Sequence, residues 1–122
     1  MCGILCIFGT QPENNVFNTS FNFLISRGPD TQTITRPSET SSLALSRLKV
    51  MDVTSNGDQT FILDDTYLLC NGEIFNHKQL EDKYDINCTG TSDCEFLIHL
   101  IHKIGFTCTI SELHVTFSIV YY

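Results

Sequence analysis

The chain has 122 residues, of which 42% are hydrophobic and nine are phenylalanine, enough to bury a core and read as one domain over residues 1–122. Fourteen acidic residues against seven basic ones give a formal charge of −7. That balance argues against nucleic acid or an anionic membrane surface as a partner, since both need clustered Lys and Arg.

The predicted elements alternate without a fixed rhythm. Cys2–Phe8 is apolar and bounded by Gly9, which predicts a buried strand. Gln11–Asn15 is polar and reads as a turn. Val16, Phe17, Phe21, Leu24 and Ile25 recur at helical spacing, predicting an amphipathic helix over Asn14–Ser26 with its phenylalanines in the core. Pro29 disfavours the α conformation in the residue before it, so Arg27-Gly28-Pro29-Asp30 ends that helix. Thr31–Arg36 and Ser42–Arg47 read as strands connected through Pro37–Ser41, and Ser55–Gln59 as a polar loop. Phe61–Leu63 and Tyr67–Cys70 predict a hairpin around Asp64-Asp65 that runs into Asn71-Gly72.

His77–Tyr84 predicts a short helix. Ser92 and Glu95 have the spacing of a capping box ahead of Phe96, Leu97, Leu100, Ile101 and Ile104, and Gly105 is the stop signal. Thr109–His114 reads as a helical turn and Val115–Tyr122 as a strand. This mixture, with no regular βαβ repeat, points to α+β layers.

No run has the length of a transmembrane helix, and Met1–Gly9 lacks the basic region and apolar core of a signal peptide. The expected setting is the cytoplasm. The six cysteines are scattered, with no CxxC pair and no zinc-type spacing, so reduced thiols and no metal are expected. Glu95, His99 and His102 fall along one side of a predicted helix, which reads as a solvated face.

Four short motifs carry chemistry. In Met1-Cys2-Gly3-Ile4, loss of Met1 would put a thiol and a free α-amine on one residue, a nucleophile beside its own base. A free thiol titrates near about 8.5 and a terminal amine near about 7.7–8.0, so such an amine is substantially neutral at pH 7. Asn71-Gly72 is a common turn dipeptide, and equally a carboxamide beside a backbone N–H that would cradle an oxyanion. Arg47 and Asp93 supply the fork-like cation and the carboxylate that a free amino acid's two charges require. Asp93 also sits where helix starts favour acids for dipole reasons alone.

Cys2-Gly3-Ile4, Arg27-Gly28-Pro29-Asp30, the run Asn71-Gly72-Glu73-Ile74-Phe75-Asn76-His77 and Thr91-Ser92-Asp93-Cys94-Glu95 occur in that order. Together they resemble the class II glutamine amidotransferases, and within them the glutaminase domain of glutamine-hydrolysing asparagine synthetase. The resemblance extends from Cys2 to about Ile119. It implies an αββα sandwich of the N-terminal-nucleophile type, incomplete at its C-terminal end. It also implies hydrolysis of glutamine to glutamate and ammonia through a Cys2 thioester, with the Cys2 α-amine as base. Asn71 and Gly72 would form the oxyanion hole. Arg47, Leu48, Lys49, Val50 and Met51 would hold glutamine, with Arg47 on its carboxylate, and Glu73 and Asp93 would meet its α-amine. Arg27–Asp30 would be a structural turn.

The sequence departs from that family at several points. Ser26 stands where a histidine precedes the Arg-Gly-Pro-Asp turn, Lys49 replaces a small polar residue, and Thr60 follows Gln59 where proline is expected. The family's later strands and Arg-Asp loop are not found after Ile119, nor is a synthetase domain with its phosphate loop. ATP and magnesium would belong to such a separate domain, and the glutaminase part needs no cofactor. The implied partners are L-glutamine and a separate synthetase subunit or a homodimer mate. A different class of reading is a truncated, inactive remnant serving as a binding module for another subunit. A third, a small thiol-rich redox or metal protein, has little support in the spacings.

Overall fold

In a computed structural model that describes residues 1–122, two antiparallel three-stranded sheets face each other. The first contains β1 (Gly3–Phe8), β2 (Thr31–Ser38) and β3 (Ser41–Arg47) in the order β1-β3-β2. The second contains β4 (Phe61–Leu63), β5 (Thr66–Ile74) and β6 (Val115–Tyr121) in the order β4-β5-β6. The helices are α1 (Asn14–Asn22), α2 (His77–Tyr84), α3 (Phe96–Ile104) and α4 (Phe106–Glu112).

The layering follows from the two-residue period of the central strands. Every residue of β3 is buried, and its side chains alternate between two partners. Ala44 packs with Phe17 and Phe21 of α1, whereas Leu43 and Leu45 meet Leu69 of β5. Strand β5 alternates in turn: Leu68, Cys70 and Ile74 join Leu80 of α2 and Phe96, Leu97 and Leu100 of α3. Helix, sheet, sheet and helices therefore stack in the αββα order expected of an N-terminal-nucleophile hydrolase. Full burial of each such leucine contributes roughly 1.5–3 kcal/mol, and Ile4, Cys6, Tyr67 and Val120 widen this contact between the sheets.

Several expected boundaries change. The first helix stops at Asn22 instead of Ser26, and Ile25–Arg27 wind into a tighter 3-10 turn. That turn lies against β1 so closely that a Cβ on Gly3 would sit 2.7 Å from Cβ of Leu24. Strand β2 runs through Pro37, which edge strands accommodate, with a register shift between Thr35 and Ser38. Asn71-Gly72 is no turn at all, because β5 continues through it to Ile74. Gly105, at φ 84°, ends α3 and lets α4 begin at Phe106, earlier than the expected Thr109.

The expected capping box does not form. No side chain caps α3, and Glu95 instead accepts hydrogen bonds from the Thr89 and Gly90 N–H groups at 2.7 and 2.8 Å. Glu95 is buried by this contact, so it does not share a solvated face with His99 and His102. Strand β6 lies at the margin of its sheet. No helix is long and apolar enough to cross a membrane.

Candidate active site

A cleft of about 310 Å³ opens where the ends of β1 and β3 meet β5. Cys2, Arg47, Leu48, Val50, Met51, Asn71, Gly72, Glu73 and Asp93 all line it, which brings together every site residue expected from the sequence except Lys49. The Lys49 side chain reaches Asp58 instead, with Nζ 3.6 Å from Oδ1.

Cys2 precedes β1, and its position is fixed from three sides. Its backbone N–H donates to Oδ1 of Asn71 at 2.9 Å, and its carbonyl accepts from Nε of Arg27 at 3.1 Å. Its Sγ lies 3.4 Å from the Leu48 nitrogen, whose N–H points at the sulfur. The thiol is thus held beside the start of the glutamine-binding segment expected from the sequence, and Asn71 sits directly across from it.

Strand β5 pairs with β4 only over Thr66–Leu68, so its edge is open beside Asn71 and Gly72. Tyr67 and Tyr122 exchange both their backbone hydrogen bonds. By the antiparallel register, Leu69, Asn71 and Glu73 then bond toward β6, while the N–H and C=O groups of Cys70, Gly72 and Ile74 point the opposite way. Gln59 takes both groups of Cys70: its Oε1 accepts the Cys70 N–H at 2.6 Å and its Nε2 donates to the Cys70 carbonyl at 2.9 Å. Oδ2 of Asp93 accepts the Ile74 N–H at 2.8 Å. Gly72 lies midway between these two clamps with its N–H on the same edge. A Cβ at Gly72 would come within 2.6 Å of Cβ of Phe117, so glycine is what lets β6 approach here. The Gln59–Thr60 peptide is cis.

Arg47 ends β3 and is buried. Its Nη1 donates to the Thr54 carbonyl at 2.9 Å and to Oδ1 of Asp58 at 2.5 Å, and its Nη2 donates to the Asp52 carbonyl. Gly57 lies flat against the guanidinium, leaving no room there for a Cβ. The Arg27–Asp30 turn braces the strand end from the other side. Asp30 donates its N–H to the Arg47 carbonyl at 3.0 Å and accepts from the Lys49 N–H at 2.8 Å. Oγ of Ser46 donates to the Gly28 carbonyl at 2.6 Å.

Asp52 did not stand out in the sequence, and Gln59 only as the residue before a missing proline, yet both support this site. Oδ1 of Asp52 accepts from the Thr54 N–H and hydroxyl, at 2.8 and 2.6 Å, and Oδ2 accepts from the Thr91 N–H at 2.7 Å. The Thr54 hydroxyl and, after it, the Thr91 and Thr54 N–H groups hold its carboxyl down at about 2. An Asp two residues before a Thr is the signal of a local side-chain-to-backbone turn. Nothing local announces its second contact, 39 residues away.

Three of the other thiols are held in their protonated form. Burial pushes Cys6 up to about 11, and burial followed by the Glu95 charge pushes Cys88 up to about 12. Cys94 is raised as well, by its hydrogen bond with Cys70 and then by burial. Both Cys70 and Cys94 are buried where they line the cleft.

The whole chain, residues 1–122, matches the family model of the glutamine amidotransferase domain. It is 36% identical over 127 residues to the probable glutamine-hydrolyzing asparagine synthetase of Acanthamoeba polyphaga mimivirus, covering 98% of this chain and 23% of that protein. Glutamine-hydrolyzing asparagine synthetase 2 of Arabidopsis thaliana is 38% identical over 112 residues, covering 86% of this chain and 19% of that protein. The Rattus norvegicus asparagine synthetase is 31% identical over 124 residues, covering 98% and 22%. The chain therefore spans about a fifth of the length of these curated relatives.

Proposed function

The chain belongs to the class II glutamine amidotransferase domains, related to the glutaminase domain of asparagine synthetase, and from that membership we propose that residues 1–122 act as one glutaminase unit releasing ammonia from glutamine. The observation that carries the proposal is the joining of Cys2 to Asn71 at the mouth of a cleft that also holds Arg47, Gly72, Glu73 and Asp93.

With Met1 in place, the Cys2 nitrogen is a peptide N–H held by Oδ1 of Asn71. Removal of Met1 turns the same nitrogen into an α-amine held by the same acceptor. The amine takes the thiol proton, directly or through one water, and Sγ attacks the side-chain amide carbon of glutamine. Negative charge gathers on the amide oxygen, where Nδ2 of Asn71 and the Gly72 N–H are the donors that stabilise it. The C–N bond then breaks, the ammonium form of the Cys2 amine returns its proton to the departing nitrogen, and ammonia leaves a γ-glutamyl thioester. Water then gives a proton to the Cys2 amine as its oxygen attacks the thioester carbon; the C–S bond breaks, the proton passes to sulfur, and glutamate leaves the restored thiol. Arg47 on the substrate carboxylate, with Glu73 and Asp93 on its ammonium, fixes the amide over Sγ.

The ammonia acceptor is a synthetase unit, and ATP chemistry belongs there. The setting of this reaction is the cytoplasm. Labelling with a glutamine-shaped electrophile tests the assignment of the nucleophile. Modification should fall on Cys2 among the six thiols and should be blocked by excess glutamine. Equal labelling of exposed Cys108, or no protection by glutamine, would overturn it.

A further inference from the structure

Three successive backbone N–H groups, those of Thr89, Gly90 and Thr91, are each taken by a buried carboxylate oxygen. Glu95, at the base of α3, accepts the first two at 2.7 and 2.8 Å. The third goes at 2.7 Å to Oδ2 of Asp52, which comes from the loop after β3. The two carboxylates do different jobs. Glu95 ties the turn to its own helix, while Asp52 ties it to another part of the chain.

We infer that Asp52 is a positioning residue that sets the distance between Arg47 and Asp93, and so the selectivity of the cleft for a free α-amino acid over an analogue lacking one charge. This rests on the glutaminase reading of the cleft.

Asp93 is anchored to β5 through the Ile74 N–H. Arg47 is anchored to the loop through the Asp52 and Thr54 carbonyls. Asp52 links the two, because its carbonyl meets the guanidinium while its carboxylate orders Thr54 and grips Thr91, two residues before Asp93. A substrate's carboxylate and ammonium are separated by one carbon, so a cation and an anion in the protein gain from both contacts only at a fixed spacing. The second contact is then nearly intramolecular and adds its full affinity. If the spacing loosens, either contact survives but the gain from having both is lost.

Space on the far side is equally tight. A Cβ at Gly90 would lie 2.6 Å from Oδ2 of Asp52 and 3.0 Å from Cβ of Asn56. Gly90→Ala therefore crowds the Asp52 carboxylate hardest, with Oε2 of Glu95 also near at 3.1 Å, without changing either charge. Asp52→Asn keeps the shape and replaces one acceptor oxygen by a donor.

The test measures binding of L-glutamine and of glutaramate (glutamine without its α-amine) by calorimetry, and their hydrolysis, in the full chain with Met1 removed. Amide exchange at Thr91 reports the contact itself. In Asp52→Asn and Gly90→Ala, Thr91 exchange should accelerate. Glutamine binding should weaken by about tenfold or more, as for loss of a charge-assisted hydrogen bond, while glutaramate binding changes little. KM should carry the effect and kcat should not. Equal weakening of both ligands in the two folded variants would reduce Asp52 to a support for Arg47 alone and overturn the inference. Unchanged discrimination, or unchanged Thr91 exchange, would overturn it also. Glutamine binding without hydrolysis by the parent chain would overturn the glutaminase reading while leaving the spacing measurable. Absence of glutamine binding would overturn both.

Discussion

The Cys2 nitrogen and Oδ1 of Asn71, 69 residues apart in the chain, lie 2.9 Å from each other. This contact joins the first sheet to the second at the point where β1 begins and the exposed edge of β5 carries Gly72. The backbone of the proposed nucleophile and the expected oxyanion donor are thereby one hydrogen-bonded unit, with the two sheets as its frame. On the proposed mechanism a change at Asn71 touches chemistry, whereas a change at Arg47 touches recognition.

Asn71→Ala should therefore lower kcat by roughly 10²–10³, the usual loss for one oxyanion donor, with a smaller change in KM. Steady-state glutamate release checks this. A variant with normal kcat and raised KM would reassign Asn71 to substrate binding.

Arg47→Ala should do the reverse and chiefly raise KM for glutamine. It should also lower the unfolding temperature, since removal of the guanidinium leaves Asp58 and the Thr54 and Asp52 carbonyls without their shared donor. An unchanged KM in a folded Arg47→Ala chain would exclude Arg47 from the carboxylate site.

Gln59→Ala should destabilise the fold by about 1–3 kcal/mol, because the buried N–H and C=O of Cys70 both lose their partner. Denaturant unfolding measures this. Since Gln59 holds the strand just before Asn71, turnover should fall even at temperatures where the variant is fully folded. Retention of full stability would mean that water replaces the carboxamide without cost.

Asp52 gives a pH dependence of definite sign. Folding lowers its pKa from the ordinary 3.8 to about 2, through its hydrogen bonds with Thr54 and Thr91. Its stabilising effect is thus present in full above the unfolded value and disappears as pH falls through the folded one. The gap in unfolding temperature between the parent chain and Asp52→Asn should be constant above about pH 5 and close as pH falls from about 4 toward 2. A gap that widens in acid would contradict the assignment.

Much of this architecture was legible in the sequence for physical reasons. Strands β1, β4, β6 and helix α2 are bounded by clear turn residues or apolar alternation, and their limits agree with expectation within a residue or so. Cys2, Asn71, Gly72, Arg47 and Asp93 were legible because their types are chemically demanding, whereas Leu48, Val50, Met51 and Glu73 were expected only from the family resemblance. What was illegible depends on long-range contacts. Asn71-Gly72 has turn chemistry, but pairing with β6 extends it as strand. Glu95 has capping spacing, but the Thr89–Gly90 turn takes its carboxylate first. Lys49 sits between cleft residues in sequence, yet Asp58 draws its side chain away. Asp52 and Gln59 are ordinary polar residues until the second sheet and the Thr91 loop arrive beside them.

Strand β6 suggests a further outcome. Its outer edge carries unpaired backbone groups, and Phe117, Ile119 and Tyr121 cover the core only in part. Exposed edges of this kind tend to pair. Sedimentation should show concentration-dependent association of the 122-residue chain, and a strictly monomeric chain would show that side chains at this edge suffice to block pairing.

The central claim is that Cys2 acts with its own α-amine, and glutamate release tests it most directly. The chain should be compared with Met1 removed, as confirmed by mass spectrometry, with Met1 retained, and as Cys2→Ala with Met1 removed. The account predicts glutamate and ammonia in equal amounts from the first preparation and none from the other two. Equal turnover by the Met1-bearing chain, or any turnover by Cys2→Ala above background, would contradict it.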